Sequence, residues 1–159
     1  MNYLNPGAKY FGSPKCQASA AEDNAFIGRN VLADRALECV GTPFHPGGRE
    51  PDRGLDCVGL IIVAAAAAGL EIADREYVIG PGVDLFDLMT EAAASAFVKS
   101  DLPLERGDVL TMRFPKTPYH AAVYVGGNRI VHAMAGRGVG LMCLDSALCR
   151  RIEAVWRLP

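Results

Sequence analysis

The sequence has few of the residues that metal sites and disulfide frameworks require. Its 159 residues include three histidines and five cysteines, and no two cysteines stand in a C-x-x-C pattern. Structural zinc sites and disulfide-rich folds depend on closely spaced or evenly paired cysteines. We therefore expect the cysteines to be reduced, and we expect no metal and no cofactor.

Long apolar runs and runs of basic residues are also missing. The longest uncharged apolar stretch, Cys57 to Leu70, has 14 residues. A membrane-spanning helix needs roughly 20, so this stretch indicates a buried helix and no membrane span. A net charge of −2 without a basic run argues against a nucleic-acid partner. The N-terminal residues lack the apolar segment of a secretory signal, so we expect synthesis in the bacterial cytoplasm without a signal peptide.

The chain divides into an irregular N-terminal arm, residues 1–26, and one domain, residues 27–159. The arm has no core-forming pattern. Apolar periodicity and capping residues predict three helices, at 30–41 with Asn30 as N-cap, at 57–68, and at 84–96. Alternating segments predict strands at 108–114, 120–125, 129–134, 139–144 and 152–158. Helices followed by antiparallel strands predict an α+β fold whose C-terminal sheet has about five strands.

Cys57 stands at the predicted start of the buried helix, directly after Asp56, which is a suitable N-cap. A buried cysteine is usually a packing residue. At a helix start, however, the unpaired backbone N–H groups favour a thiolate. Cys57 is therefore a candidate nucleophile as well as a candidate core residue.

His120 and His132 lie in two predicted strands that form a hairpin. Because side chains alternate between the faces of a strand, the two histidines share a face only if the loop has an odd length. A three-residue loop at 126–128 would place Ala122 opposite His132 and His120 diagonally from it, roughly 7–8 Å away between backbones. A two-residue loop would put the histidines on opposite faces. If both histidines lie on the same face, His120 could be the base for Cys57, and His132 could orient the His120 ring.

These segments together resemble the NlpC-type papain-like cell-wall peptidases. The resemblance covers about residues 29–158 and rests on GLDCVGL, RGDVL, HAAVYVGG and RIVHA in that order, with GTPFHPGG upstream. It implies a papain-like fold in which Cys57 is the nucleophile at the start of the buried helix, His120 the base and His132 the third polar member. It also implies that the substrate is the peptide stem of peptidoglycan, cleaved at an amide next to a D-amino acid.

Two positions depart from that family's usual pattern. Phe44 stands where a tyrosine hydroxyl is common near the oxyanion, and His45 is a candidate substitute. Val58 stands where a serine often follows the cysteine. We expect Asp56, Phe44 and His45 to lie at the substrate and oxyanion side of the site, with the backbone N–H of Cys57 as an oxyanion donor.

A longer stretch, TPFHPGGREPDRGLDCVGL, resembles more narrowly the peptidases of phage tails and gene transfer agents. This implies tail-tip or hub proteins of a phage-like particle as partners, and action in the periplasm or cell wall during DNA entry. Three functions stay open: a thiol endopeptidase, a structural tail subunit without activity, and an amidase or acyltransferase that uses the same Cys–His chemistry. Intact Cys57, His120 and His132 favour the first over the second, while the sequence does not separate the first from the third.

Overall fold

The computed structural model describes residues 20–77, 86–115 and 119–159. Helices precede most of the strands along the chain, as predicted. The helices are α1 (Ala20–Glu38), α2 (Cys57–Ala67), α3 (Phe86–Ala94) and α4 (Ser146–Cys149), and the strands are β1 (Arg49–Glu50), β2 (Gly54–Leu55), β3 (Val98–Lys99), β4 (Val109–Met112), β5 (His120–Gly126), β6 (Arg129–Met134), β7 (Gly138–Cys143) and β8 (Ile152–Arg157).

The main sheet has six antiparallel strands in the order β3-β8-β4-β5-β6-β7. The five predicted strands correspond to β4 through β8, with ends that differ by at most two residues. The prediction of about five strands missed β3 because two residues are too short to show an alternating pattern. The strands β1 and β2 form a separate small hairpin just before α2.

Helix α2 begins at Cys57, as the capping pattern predicts. The carboxylate of Asp56 accepts a hydrogen bond from the backbone N–H of Gly59 at 2.8 Å, which satisfies one of the free donors of the first turn. A side chain at Gly59 would collide with the backbone carbonyl of Gly48, so the loop before α2 lies directly against its first turn. The first turns are buried, as predicted, whereas Ala66 and Ala67 are exposed, so the predicted burial does not extend to the last turn.

Helix α1 begins ten residues earlier than predicted, at Ala20 instead of Asn30. Asn30 is therefore not an N-cap, and its side chain donates to the backbone carbonyl of Phe26 at 2.9 Å within the helix. The early turns were missed because residues 20–29 are mostly polar or exposed and present no apolar stripe. Residues 20–26, which the sequence assigns to the arm, are thus helical, and residues 1–19 lie outside the described residues.

The predicted third helix, 84–96, corresponds to α3, which runs from Phe86 to Ala94 and ends two residues earlier than predicted; residues 84 and 85 lie outside the described residues. Its apolar spacing predicts that Leu85, Leu88, Met89 and Ala92 face the core, and the side chains of the first three lie outside the described residues. In the part of the chain that the structure describes, no helix is long and apolar enough to span a bilayer.

The β5–β6 hairpin has a two-residue turn and a bulge instead of the predicted three-residue loop. Gly126 pairs with Arg129, and the register shifts between Tyr124 and Gly126, so that Val125 has no partner. Gly127 and Asn128 form the turn with φ of 59° and 53°, a conformation that glycine and asparagine tolerate. The bulge restores the parity that a two-residue turn alone would break, because it adds one residue to β5.

The sheet carries a buried cluster on each face. The first core lies on the helical side and includes Leu32 of α1, Leu60 of α2, and Val123 and Val131 of the hairpin. The second core lies on the opposite face. It is formed by Leu110, Met112, Ala122, Ile130 and Leu144. Because side chains alternate along β5 and β6, neighbouring residues of the hairpin belong to different cores.

Candidate active site

Cys57 lies at the N-terminal end of α2 and packs in the first core, with 9% of its surface exposed. Burial raises the pKa of its thiol to about 12, although a hydrogen bond from the backbone of Ala121 acts in the opposite direction. The backbone N–H groups of Cys57 and Val58 at the helix start lower the pKa of the thiol, as expected, but the loss of solvation outweighs them. At neutral pH Cys57 is a thiol.

His120 and His132 form a hydrogen-bonded pair on one face of the sheet. His120 Nε2 lies 2.8 Å from His132 Nδ1, and the two rings are nearly perpendicular at 84°. The observed register places Ala122 opposite His132, as predicted, so His120 is the diagonal neighbour of His132. The prediction that the two histidines share a face is confirmed.

His120 is neutral at neutral pH. Burial, together with the adjacent His132, lowers the pKa of its imidazole to about 4. Burial also lowers the pKa of His132. A neutral imidazole can accept a proton, which is the state that a general base requires.

Cys57 lies against the beginning of β5, the strand that carries His120. Cys57 is within hydrogen-bonding reach of the backbone of Ala121, the residue next to His120. By strand alternation the histidines extend on the face of the second core, while Cys57 packs in the first. Among the described residues no hydrogen bond joins Cys57 Sγ to either ring, so a direct contact between Cys57 and His120 stays a prediction. The bond from His120 Nε2 to His132 leaves Nδ1 as the nitrogen that can meet the thiol.

Asp56 is fully buried and holds the start of α2. Its carboxylate accepts hydrogen bonds from the backbone N–H groups of Gly47 and Gly59 at 2.7 and 2.8 Å. It also accepts from the Tyr77 hydroxyl at 2.6 Å and from Arg49 Nη1 at 3.2 Å. These four donors compensate the buried charge. Asp56 therefore fixes the helix that carries Cys57, and its predicted contact with substrate stays a prediction.

Arg49 connects this carboxylate to the surface, a role that no pattern in the sequence predicts. Its Nε and Nη2 atoms both donate to Asp74 at 2.9 Å in a two-pronged ion pair, and Nη2 also contacts the Tyr77 hydroxyl at 3.1 Å. Burial would lower the pKa of Arg49, but its bonds to Asp74 and Tyr77 and the charge of Asp56 raise it overall. Nothing in the sequence distinguishes Arg49 from other arginines, because its main partner lies 25 residues away.

Phe44 and His45 lie in the loop before α2. Phe44 is half-buried, packs against the first core and bridges to Leu55 through its backbone. The exposed ring of His45 has Nδ1 2.9 Å from the carbonyl oxygen of Pro46 in its own loop. The structure therefore does not bring His45 to Cys57 through any described side-chain bond, and the oxyanion roles of both residues stay predictions.

No cluster suited to a metal ion is found in the described ranges 20–77, 86–115 and 119–159, where His, Cys, Asp and Glu never converge in groups of three or more. The two histidines use their facing nitrogens to bond each other. The local chemistry is therefore that of a thiol, a neutral imidazole and a second imidazole.

Residues 41–153, which include Cys57 and the histidine pair, match the NlpC/P60 family. The chain belongs to this family. Among curated relatives, a Mycobacterium tuberculosis protein named "Probable endopeptidase" is 31% identical over 126 residues, or 79% of this chain and 29% of the relative. Dipeptidyl-peptidase 6 of Lysinibacillus sphaericus is 29% identical over 133 residues, or 83% of this chain and 42% of the relative. The chain thus spans less than half the length of these two relatives.

Solved structures show the same fold. An NlpC/P60 family protein from Bacillus cereus superposes with a TM-score of 0.62 at 20% identity, covering 82% of this chain and 40% of that one. The NlpC/p60 domain of the peptidoglycan hydrolase SagA superposes with a TM-score of 0.59 at 22% identity, covering 82% of this chain and 98% of that one. At these identities the likeness concerns the fold, and it confirms the predicted α+β, papain-like architecture.

Proposed function

We propose that this protein is a cysteine peptidase that hydrolyses amide bonds in the peptide stems of peptidoglycan. The observation that carries the proposal is the 2.8 Å bond between His120 and His132. His120 begins β5, and the next residue of that strand, Ala121, contacts Cys57 at the start of α2. Membership of the NlpC/P60 family supports it, as do the names of the relatives, which describe an endopeptidase, a dipeptidyl-peptidase and a peptidoglycan hydrolase.

In the proposed reaction the thiol and the base both start neutral. As Cys57 Sγ attacks the carbonyl carbon of the scissile amide, its proton passes to His120 Nδ1, and His132 holds the ring through Nε2. The backbone N–H of Cys57 donates to the oxyanion. The imidazolium then gives its proton to the leaving amine, which leaves a thioester on Cys57. Water, deprotonated by His120, hydrolyses the thioester and restores the thiol.

Asp56 and Arg49 support this chemistry without taking part in it. The carboxylate of Asp56 is buried directly beside Cys57 and disfavours a negative charge on the sulfur. Arg49 lies 3.2 Å from that carboxylate and offsets its charge. The network therefore keeps the helix start in place and limits the electrostatic cost of forming a thiolate there.

The activity is tested with purified peptidoglycan sacculi. We expect the wild-type protein to release stem fragments whose masses identify the bond cut, and Cys57→Ala to release none. Cys149→Ala, which removes an exposed cysteine, is the matched control and is expected to retain activity. An inactive wild type would support the structural-subunit alternative, whereas transfer of the acyl group to an added amine in preference to water would support the acyltransferase alternative.

We further propose that the peptidase acts from a phage-like tail tip in the periplasm or cell wall. The stretch TPFHPGGREPDRGLDCVGL supports this through its resemblance to particle-borne peptidases. On α1, Phe26 and Ile27 are 61% and 58% exposed, which is uncommon for side chains of this size and suits a contact with another protein. The test is incorporation of tagged Phe26→Ser/Ile27→Ser protein into particles, with Val98→Ser as the control. Normal incorporation would contradict the proposed contact.

A further inference from the structure

A pocket of about 360 Å³ lies beside the histidine pair and is not used by the proposed mechanism. It forms where the end of β4 meets the segment between α4 and β8. Its lining residues are Arg113, Phe114, Pro115, Arg150, Arg151 and Glu153. We call it the arginine pocket.

The arginine pocket concentrates positive charge in a protein whose net charge is −2. Among the six described lining residues, three are arginines and one, Glu153, is acidic. The backbone N–H of Arg113 donates to the carbonyl of Arg151 at 2.9 Å, so these two arginines are neighbours across the sheet. Glu153 lies 3.7 Å from Arg113 and compensates one charge. Neighbouring like charges are unfavourable unless an anion lies between them.

Phe114 connects the arginine pocket to the proposed catalytic base. Its ring meets the His120 ring edge-on, with centroids 5.6 Å apart. The guanidinium carbon of Arg151 lies 5.9 Å from the centroid of the Phe114 ring, in the arrangement of a cation–π contact. A ligand bound at Arg151 is therefore separated from His120 by a single aromatic ring.

We propose that the arginine pocket binds a free carboxylate of the peptide stem close to the bond that is cleaved. The proposal rests on the proposed function, since it assigns part of that substrate to a second site. Guanidinium groups match the planar geometry of a carboxylate and bind it through paired hydrogen bonds. An extended peptide advances about 3.4 Å per residue. With one aromatic ring between His120 and Arg151, the carboxylate belongs to a residue within about three positions of the scissile bond.

The test compares a stem peptide that has all its carboxylates with matched peptides in which one carboxylate at a time is converted to an amide. We expect the wild-type protein to prefer the free acid at one position by about tenfold in kcat/KM, mainly through KM. In Arg150→Gln/Arg151→Gln this preference should fall close to one. Both side chains are exposed, and glutamine keeps most of their length, so the variant is expected to fold. Arg35→Gln/Arg53→Gln removes two charges elsewhere and should keep the preference.

Binding to Cys57→Ala separates this proposal from the proposed function, because affinity can be measured without hydrolysis. If Cys57→Ala binds the free acid more tightly than the amide, and the two glutamine substitutions remove the difference, the arginine pocket is supported even if no hydrolysis is found. Equal affinities for acid and amide would overturn it. Competition by poly(glycerol phosphate) that depends on Arg150 and Arg151, without a preference among the peptides, would assign the pocket to a wall phosphate polymer and would also overturn it.

Discussion

His120 carries more of the proposed chemistry than any other side chain, because it must take the proton of Cys57 while His132 holds it. Its imidazole is buried and its pKa is lowered to about 4, from an ordinary value near 6.5. The base is active when neutral, so kcat/KM should stay near its maximum as the pH falls to 6 and should drop only as the pH approaches 4. The check is a pH–rate profile on a stem peptide. A half-maximal point near 6.5 would contradict this account of His120.

His132 acts through His120, and the two effects of removing it can be separated. In His132→Ala, kcat should fall by roughly 10- to 100-fold because the ring of His120 loses the partner of Nε2. The acid limb of the profile should also move to higher pH, because the nearby imidazole no longer lowers the pKa of His120. His132→Asn should recover part of kcat. Arg53→Gln, which changes a side chain that is 81% exposed and has no proposed role in the reaction, should leave both quantities unchanged. A fall in kcat without a shift of the acid limb would assign His132 a packing role only.

At the scale of elements, the start of α2 depends on the buried ion pair between Asp56 and Arg49. Arg49→Leu leaves a carboxylate in the core with one charged partner fewer. We expect it to lower the free energy of unfolding by about 2–4 kcal/mol, because an unpaired buried charge is costly. Arg53→Leu is the control, since that side chain is 81% exposed and pairs only with exposed Glu50, so its effect should stay under about 0.5 kcal/mol. Urea denaturation measures both. Equal effects would show that the network does not stabilise the helix start.

The hairpin shows which features of the elements could be predicted. Alternation and turn residues were sufficient to place β5 and β6, and the pairing of Ala122 with His132 followed. The predicted three-residue loop was wrong. A bulge at Val125 with a two-residue turn adds the same single residue as that loop, so the two arrangements give the same sequence pattern. The prediction of where α1 begins was wrong for a different reason. Its first turns are helical without an apolar stripe, so periodicity had nothing to detect before Leu32.

For the molecule as a whole, what could be predicted depended on local pattern. The order of elements and the positions of Cys57, His120 and His132 follow from capping, alternation and residue type. The Arg49–Asp74–Tyr77 contacts and the arginine pocket join residues that are far apart in the chain, so only the folded structure brings them together. The pKa of Cys57 shows the same limit. Its place at a helix start predicts a lowered pKa, whereas burial by residues distant in the chain raises it.

Buried neutral histidine also makes the stability of the whole protein depend on pH. Because the pKa of His120 is lower in the folded state than in the unfolded state, its contribution is fully present above pH 6.5 and is lost as the pH falls toward 4. The loss should reach about 3 kcal/mol across that window. Denaturation at pH 7 and pH 4 measures it. His120→Asn should lose less stability than the wild type over the same interval, and an equal loss would exclude His120 as the source.

The proposed reaction requires that Cys57 becomes acylated by the stem peptide, and intact-mass analysis of an acid-quenched single turnover detects this acyl-enzyme. We expect a transient mass increase equal to the acyl part of the peptide, located on the fragment that contains Cys57. The increase should be absent in Cys57→Ala and retained in Cys149→Ala. Release of product by the wild type without any adduct, together with undiminished hydrolysis by Cys57→Ala, would contradict the account.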